Sequence, residues 1–241
     1  MRYCITGDMS AAHRGLLLHG MAFSGEAMRA LFDGLFGDGW MLVFPTFDGH
    51  HRADKTEFST IGEQAMQVIQ YLKEQDITDL DFIMGTSLGA QVAMRIMQSK
   101  RLNVKRYFFD GLPFTDGSLR DALLRQTMKR LIPFVLRHSF FDRFISRKFG
   151  QLAPHIKNFA RFATQRDYDN IVSECFAFEP PDAQAFANEN VTFIYGSRED
   201  AYRRFRRIMS ARDDFNVQIK PGYGHCRYFC ERTNEYVKLL I

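Results

Sequence analysis

Short apolar runs recur along this chain, each followed by turn residues and then by a stretch of helical periodicity. The runs are Gly15–Leu18, Trp40–Phe44, Leu80–Met84, Val104–Phe109, Val191–Tyr195 and Phe215–Ile219. Most are bounded by Gly, Asp, Pro or Asn, the pattern of buried strands. Between them, Met28, Leu31, Phe32, Leu35 and Phe36 keep the i, i+3, i+4 rhythm of an amphipathic helix. So do Ile61, Ala65, Val68, Ile69 and Leu72, and later Val92, Ala93, Ile96 and Met97. Parallel strands need long crossovers, and crossover helices cover both faces of the sheet they join. The expected fold is therefore α/β, a doubly wound and mostly parallel sheet, with Arg2–Thr6 as a further edge strand.

The alternation breaks once. Between Val104–Phe109 and Val191–Tyr195 lie about 80 residues without a convincing strand, far more than one crossover helix requires. Leu119, Leu123, Leu124, Met128, Leu131, Ile132, Val135 and Leu136 form one apolar stripe, which Pro133 is expected to kink or cut. Phe140, Phe141, Phe144 and Ile145 begin a second helix, and Phe159 and Phe162 belong to a third. Residues 113–166 are thus expected to be a helical insertion, with 1–112 and 167–241 forming the sheet domain. From Ser118 to Arg166 the insertion carries eleven Lys or Arg residues against two acids, Asp121 and Asp142, although the whole chain carries only +4. Such asymmetry can attract anionic molecules, although basic helix faces usually just meet water.

Composition closes off other classes. Of 241 residues, 46% are hydrophobic and 25% charged, as in ordinary globular proteins and unlike disordered chains. Four cysteines (Cys4, Cys175, Cys226, Cys230) are too few and too scattered for a disulfide framework. Cys226 and Cys230 beside His225 lack a second Cys/His pair to complete a metal site. His50 and His51 with Asp48 and Asp54 likewise lack a further ligand. No cofactor or metal is therefore expected. No recognised motif points to nucleic acid, no run approaches the ~20 apolar residues of a membrane span, and the first residues lack a signal-peptide core. The expected location is the cytoplasm, and the oligomeric state is left open.

The strongest local signal is Gly85-Thr86-Ser87-Leu88-Gly89, which follows an apolar run and precedes a helical stretch. In a strand-turn-helix context, G-x-S-x-G forces a sharp turn that lifts the serine hydroxyl above the sheet and sets the next amide at a helix N-terminus. A serine needs a base, and the base an orienting acid; in such folds they follow in the order Ser, acid, His. Of the histidines after Ser87, only His225 closely follows an expected strand, on the loop Lys220-Pro221-Gly222-Tyr223-Gly224. For the acid, Asp200 is the first choice because it follows the penultimate strand. Its neighbour Glu199 and the strand-end Asp110 remain competitors.

Together with Leu16-Leu17-Leu18-His19-Gly20-Met21 and Phe44-Pro45-Thr46-Phe47-Asp48-Gly49-His50, these motifs run in an order that resembles the α/β-hydrolase superfamily over about residues 15–240. The resemblance implies that the helical insertion is a cap, or lid, over the active site. It also implies an oxyanion hole formed by the amide of Met21, or Ala22, and that of Leu88. His19 then reads as a turn residue. The family loop often reads Asp-x-x-Gly-His-Gly-x-Ser, whereas here Asp48 lies closer to Gly49-His50 and His51 replaces the last glycine, which blurs the subfamily. The implied activity is a serine hydrolase of carboxylic esters. The alternatives are a thioesterase or acyltransferase on an acyl thioester, and a non-catalytic small-ligand-binding relative. The expected partner is a small acyl ester or thioester, compatible with a negative charge.

Overall fold

The structure, a computed structural model, describes residues 1–51, 56–179, 181, 183–186, 189–209 and 215–241. Arg52, Ala53 and Asp54 of the loop after His50 lie outside the described residues. Strands β1 (Arg2–Thr6), β2 (His13–Leu18), β3 (Trp40–Thr46), β5 (Phe82–Thr86), β7 (Tyr107–Asp110), β8 (Val191–Gly196) and β9 (Asn216–Lys220) form one sheet in the order β1-β3-β2-β5-β7-β8-β9. Only β1, on the edge, runs antiparallel to its neighbour, with Cys4 opposite Phe44. Leu16, Leu17, Val43, Phe44, Ile83, Met84, Phe109 and Phe193 are fully buried, because helices pack on both faces and leave no solvent side for alternation.

Two apolar runs are each divided. Asp79–Leu80 (β4) and Asn103–Val104 (β6) pair in a separate two-stranded sheet. The break falls at Asp81, whose carboxylate accepts the Arg14 amide at 2.9 Å and pairs with Lys105 at 2.7 Å. The register is the same on both sides of the break, with Leu80 opposite Val104 and Ile83 opposite Tyr107.

The crossover helices begin and end where local chemistry dictates. In α1 (Gly25–Phe32) the Ser24 hydroxyl accepts the Ala27 amide. The helix ends at Asp33, before Leu35 and Phe36 of the expected stripe, because Gly34 takes the left-handed conformation (φ +71°). In α2 (Ile61–Glu74) Thr60 accepts the Glu63 amide at 3.1 Å, a cap of typical worth about 1 kcal/mol. α3 (Leu88–Ser99) follows β5 directly.

The 113–166 region is helical: α4 (Leu119–Arg137), α5 (Asp142–Phe149) and α6 (Ala153–Phe162), with α7 (Gln165–Cys175) leading back toward the sheet. Of the kink or cut expected at Pro133, the cut does not occur, since α4 continues through it with Pro133 buried. Contacts of α4 with α6 and α7 offset the one backbone bond that proline removes. The chain closes with α8 (Asp200–Ile208), α9 (Arg227–Glu231) and α10 (Thr233–Leu240). Among the described residues, no helix is long and apolar enough to cross a membrane.

Candidate active site

Ser87 occupies the turn between β5 and α3 with φ +52°, a conformation costly for a residue with a side chain. The flanking glycines make the turn possible. A Cβ at Gly85 would strike the Gly89 carbonyl, and one at Gly89 the Leu18 carbonyl. The Ser87 amide donates to the Asp110 carbonyl oxygen at 2.8 Å, fixing the turn to the end of β7.

Two further strand ends converge on this hydroxyl. His225, on the loop after β9, holds Nε2 3.0 Å from Ser87 Oγ and Nδ1 2.9 Å from Glu199 Oε2. With Nδ1–H donated to Glu199, Nε2 is the acceptor for the serine proton. Glu199 is buried, and its other oxygen accepts the Gly196 amide at 2.6 Å. Burial alone would push the His225 pKa down. The Cys226 sulfur and the Glu199 carboxylate favour the imidazolium and together lift it well above the ordinary histidine value.

The placement of Asp200 corrects the sequence expectation. Its side chain is 89% exposed, and its nearest ionic partner is Arg203 at 3.4 Å. Glu199 occupies the N-cap of α8 in extended conformation, so its side chain turns back toward Gly196 and His225, whereas Asp200 is already in the helix and faces water. Asp110 is buried at the end of β7, and its Oδ2 has no hydrogen-bond partner among the described residues. Burial, and then the nearby Glu199 carboxylate, raise its pKa to about 7.

Gly111 is a site residue that sequence reasoning missed. Its φ is +59°, and a Cβ there would lie 2.7 Å from His225 Cε1 and 2.8 Å from Nδ1. The imidazole therefore fits only against a glycine. The available signal was the Asp-Gly pair that ends an apolar run. Cys226, which the sequence places next to His225 without the partners of a metal site, holds its Sγ 3.2 Å from Thr86 Oγ1 beside the serine turn.

His19 is buried, with Nε2 accepting the Phe47 amide at 3.0 Å and Nδ1 2.8 Å from the Gly20 carbonyl oxygen. It thus ties the β2 loop to the β3 loop, as a turn residue should. Burial, followed by His50, drives its pKa well down. Met21 and Ala22 border the space beside Ser87. Neither the Met21 nor the Leu88 amide is spent on a backbone acceptor among the described residues, so two donors are available near the serine.

Above Ser87 lies a cavity of about 270 Å³. Ser87, His225 and Cys226 form its polar end. Phe23, Ile132, Val135, Ile145 and Ile156 supply apolar wall, and Lys148 is the one lysine or arginine among its described lining residues. The floor thus comes from strand-end loops and much of the wall from α4 to α6.

A strand-order sheet with a strained serine turn at its centre, a histidine after the last strand and a buried acid between them defines an α/β-hydrolase type of protein. Residues 16–238 match the family model of the alpha/beta hydrolase family, and the chain belongs to that family. No curated protein matches it. Among solved structures it is similar to an alpha/beta hydrolase family protein from Desulfitobacterium hafniense, with 17% identity, TM-score 0.75 and coverage of 99% of this chain and 98% of that one. It is also similar to a carboxylesterase from Nitrososphaera gargenis (14% identity, TM-score 0.76, 99% and 92% covered). An esterase from Exiguobacterium antarcticum gives 13% identity and a TM-score of 0.75, with 99% and 92% covered. At these identities the likeness is one of fold.

Proposed function

We propose that this chain hydrolyses carboxylic esters through an acyl-enzyme on Ser87, with His225 as base and Glu199 as the acid that orients it. Support comes above all from the unbroken relay of Ser87 Oγ, His225 and Glu199 at 3.0 and 2.9 Å. His225 Nε2 takes the hydroxyl proton as Oγ attacks the acyl carbon. The Met21 and Leu88 amides receive the oxyanion, a contribution typically of about 10²–10³ in rate per donor. The tetrahedral adduct collapses, His225 protonates the leaving alkoxide, and a water activated by the same nitrogen releases the acid.

The helices α4 to α6 act in this proposal as a cap that seats the acyl group. A cavity near 270 Å³ is below the ~300–1,000 Å³ of drug-sized ligand sites, which suits short to medium acyl chains. Lys148 favours a second reading, in which the acyl group arrives as a thioester whose leaving group is anionic.

Turnover of p-nitrophenyl esters of increasing acyl length tests the ester reading. Saturable hydrolysis that falls off for long chains is expected. A folded protein that turns over neither esters nor acyl thioesters would contradict both readings and leave ligand binding.

A further inference from the structure

The outward face of α4 and the segment leading into α5 leaves large apolar side chains in water. Leu119 is 91% exposed, Leu123 70% and Phe140 87%, and Leu131, Phe134 and Phe144 are exposed as well. Leu119, Leu123 and Phe134 fall on one side of α4 by helical spacing. The surface is continuous. Leu123, Leu131 and Phe134 border one shallow groove together with Arg130. The Phe134 ring meets Phe141 at 5.8 Å, and Phe141 meets Phe140 at 5.2 Å. Leu131 and Phe144 also border the cavity above Ser87, so the patch reaches the cavity mouth. Monomers seldom expose such a connected apolar surface without a partner for it.

Charge narrows the choice of partner. The two acids of the region are already engaged, Asp121 with Arg204 and Asp142 with Lys157. Arg120, Arg130, Arg143 and Arg147 are exposed and make no ion pair among the described residues. A second copy docked face to face would bring these cations against their own images. A nucleic acid would satisfy the arginines and leave the leucines in water. A bilayer with anionic headgroups satisfies both kinds of group, taking the apolar side chains at the acyl boundary and the guanidinium groups at the phosphates.

We propose that the α4–α5 face docks on the surface of an anionic lipid bilayer, with the cavity mouth turned toward the lipid. The chain then sits on the membrane without spanning it, and an apolar molecule can pass from lipid to cavity without crossing water. This inference does not depend on the ester chemistry.

Co-sedimentation of the full chain with vesicles tests it. One set is phosphatidylcholine alone, the other phosphatidylcholine mixed with phosphatidylglycerol. Binding to the mixed vesicles at least about tenfold tighter than to the neutral ones is expected, weakening with added salt. The double variant Leu123→Ser/Phe140→Ser should lose about tenfold in affinity for the mixed vesicles, and Arg143→Gln/Arg147→Gln should erase much of their advantage. All substituted side chains are exposed, and circular dichroism confirms that each variant is folded. Failure of the wild type to bind the mixed vesicles overturns the proposal. So does equal binding by the Leu123→Ser/Phe140→Ser variant, or a wild-type dimer in light scattering that this variant turns into a monomer. Duplex DNA bound as tightly as the mixed vesicles, and unaffected by the apolar substitutions, overturns it too.

Discussion

The strand-end loops and the inserted helices face each other across one cavity and are built on opposite terms. In the loops, backbone tolerances are close to zero. Ser87 holds a positive φ, Gly85 and Gly89 admit no Cβ, and Gly111 admits none beside His225. Three side chains there are tied in a line: Ser87 to His225, His225 to Glu199, and Glu199 on to the Gly196 amide. On α4 and α5 the inner side chains, Lys148 apart, close an apolar wall, and several outer ones remain in water. Under the proposed function, the loops fix the chemistry and the helices fix what is brought to it. Substitutions in the first region should change the rate with every substrate, and substitutions in the second the choice among substrates.

The widest gap should separate two adjacent residues. Glu199→Gln keeps the shape and removes the charge that favours the imidazolium, and a loss in kcat of about 10³–10⁴ is expected. Asp200→Asn, one residue on and exposed, should leave steady-state rates within about twofold and stability within about 0.5 kcal/mol. Comparable losses from the two variants would mean that the loop rearranges on binding substrate.

Gly111→Ala comes next. The added methyl displaces the imidazole, and misplacement of about 1 Å commonly costs about 10² in rate. A structure of the variant should show the His225–Ser87 contact lengthened. Unchanged activity would show that the ring has room that the observed geometry denies it.

On the other side of the cavity, Val135→Phe narrows the wall. The preferred acyl chain should shorten, with longer esters losing about 10- to 100-fold in kcat/KM. The shortest ester should lose far less. A uniform loss for all esters would place Val135 with the loops and dissolve the comparison.

The pH dependence should be the mildest effect. His225 is inactive as a base while protonated, and its pKa is raised well above the usual histidine value. The profile of kcat/KM should therefore climb on the alkaline side of pH 6.5, with little activity in mild acid. Loss of the Glu199 charge removes one group that supports the imidazolium, so the residual activity of Glu199→Gln should rise at lower pH. A wild-type midpoint below 6.5 would mean that burial outweighs the two supporting groups.

Much of this organisation is legible in the sequence, and the reasons differ by element. The Ser87 turn is readable because two glycines flank a serine between a strand and a helix, and steric exclusion leaves few alternatives. His225 is readable because it alone follows a late strand on a Gly/Pro loop. Glu199 and Asp200 are adjacent, and what separates them is whether the residue is the N-cap of α8 or its first helical position, a backbone detail that no periodicity encodes. The role of Gly111 depends on the distance between β7 and the loop after β9, a contact across the sheet. The divided strands around Asp81 and the continuous α4 through Pro133 are tertiary effects overriding local preference. The exposed leucines of α4 fit an apolar stripe in the sequence. Only the packing shows that part of the stripe is exposed among the described residues.

The most direct measurement is the intact mass of the protein after incubation with a fluorophosphonate, run beside Ser87→Ala. A single adduct on the wild type and none on the variant is the expected result, because only a serine with its proton drawn toward His225 reacts readily. A wild type that stays unlabelled while folded, or a variant labelled as fully as the wild type, would contradict Ser87 as the nucleophile.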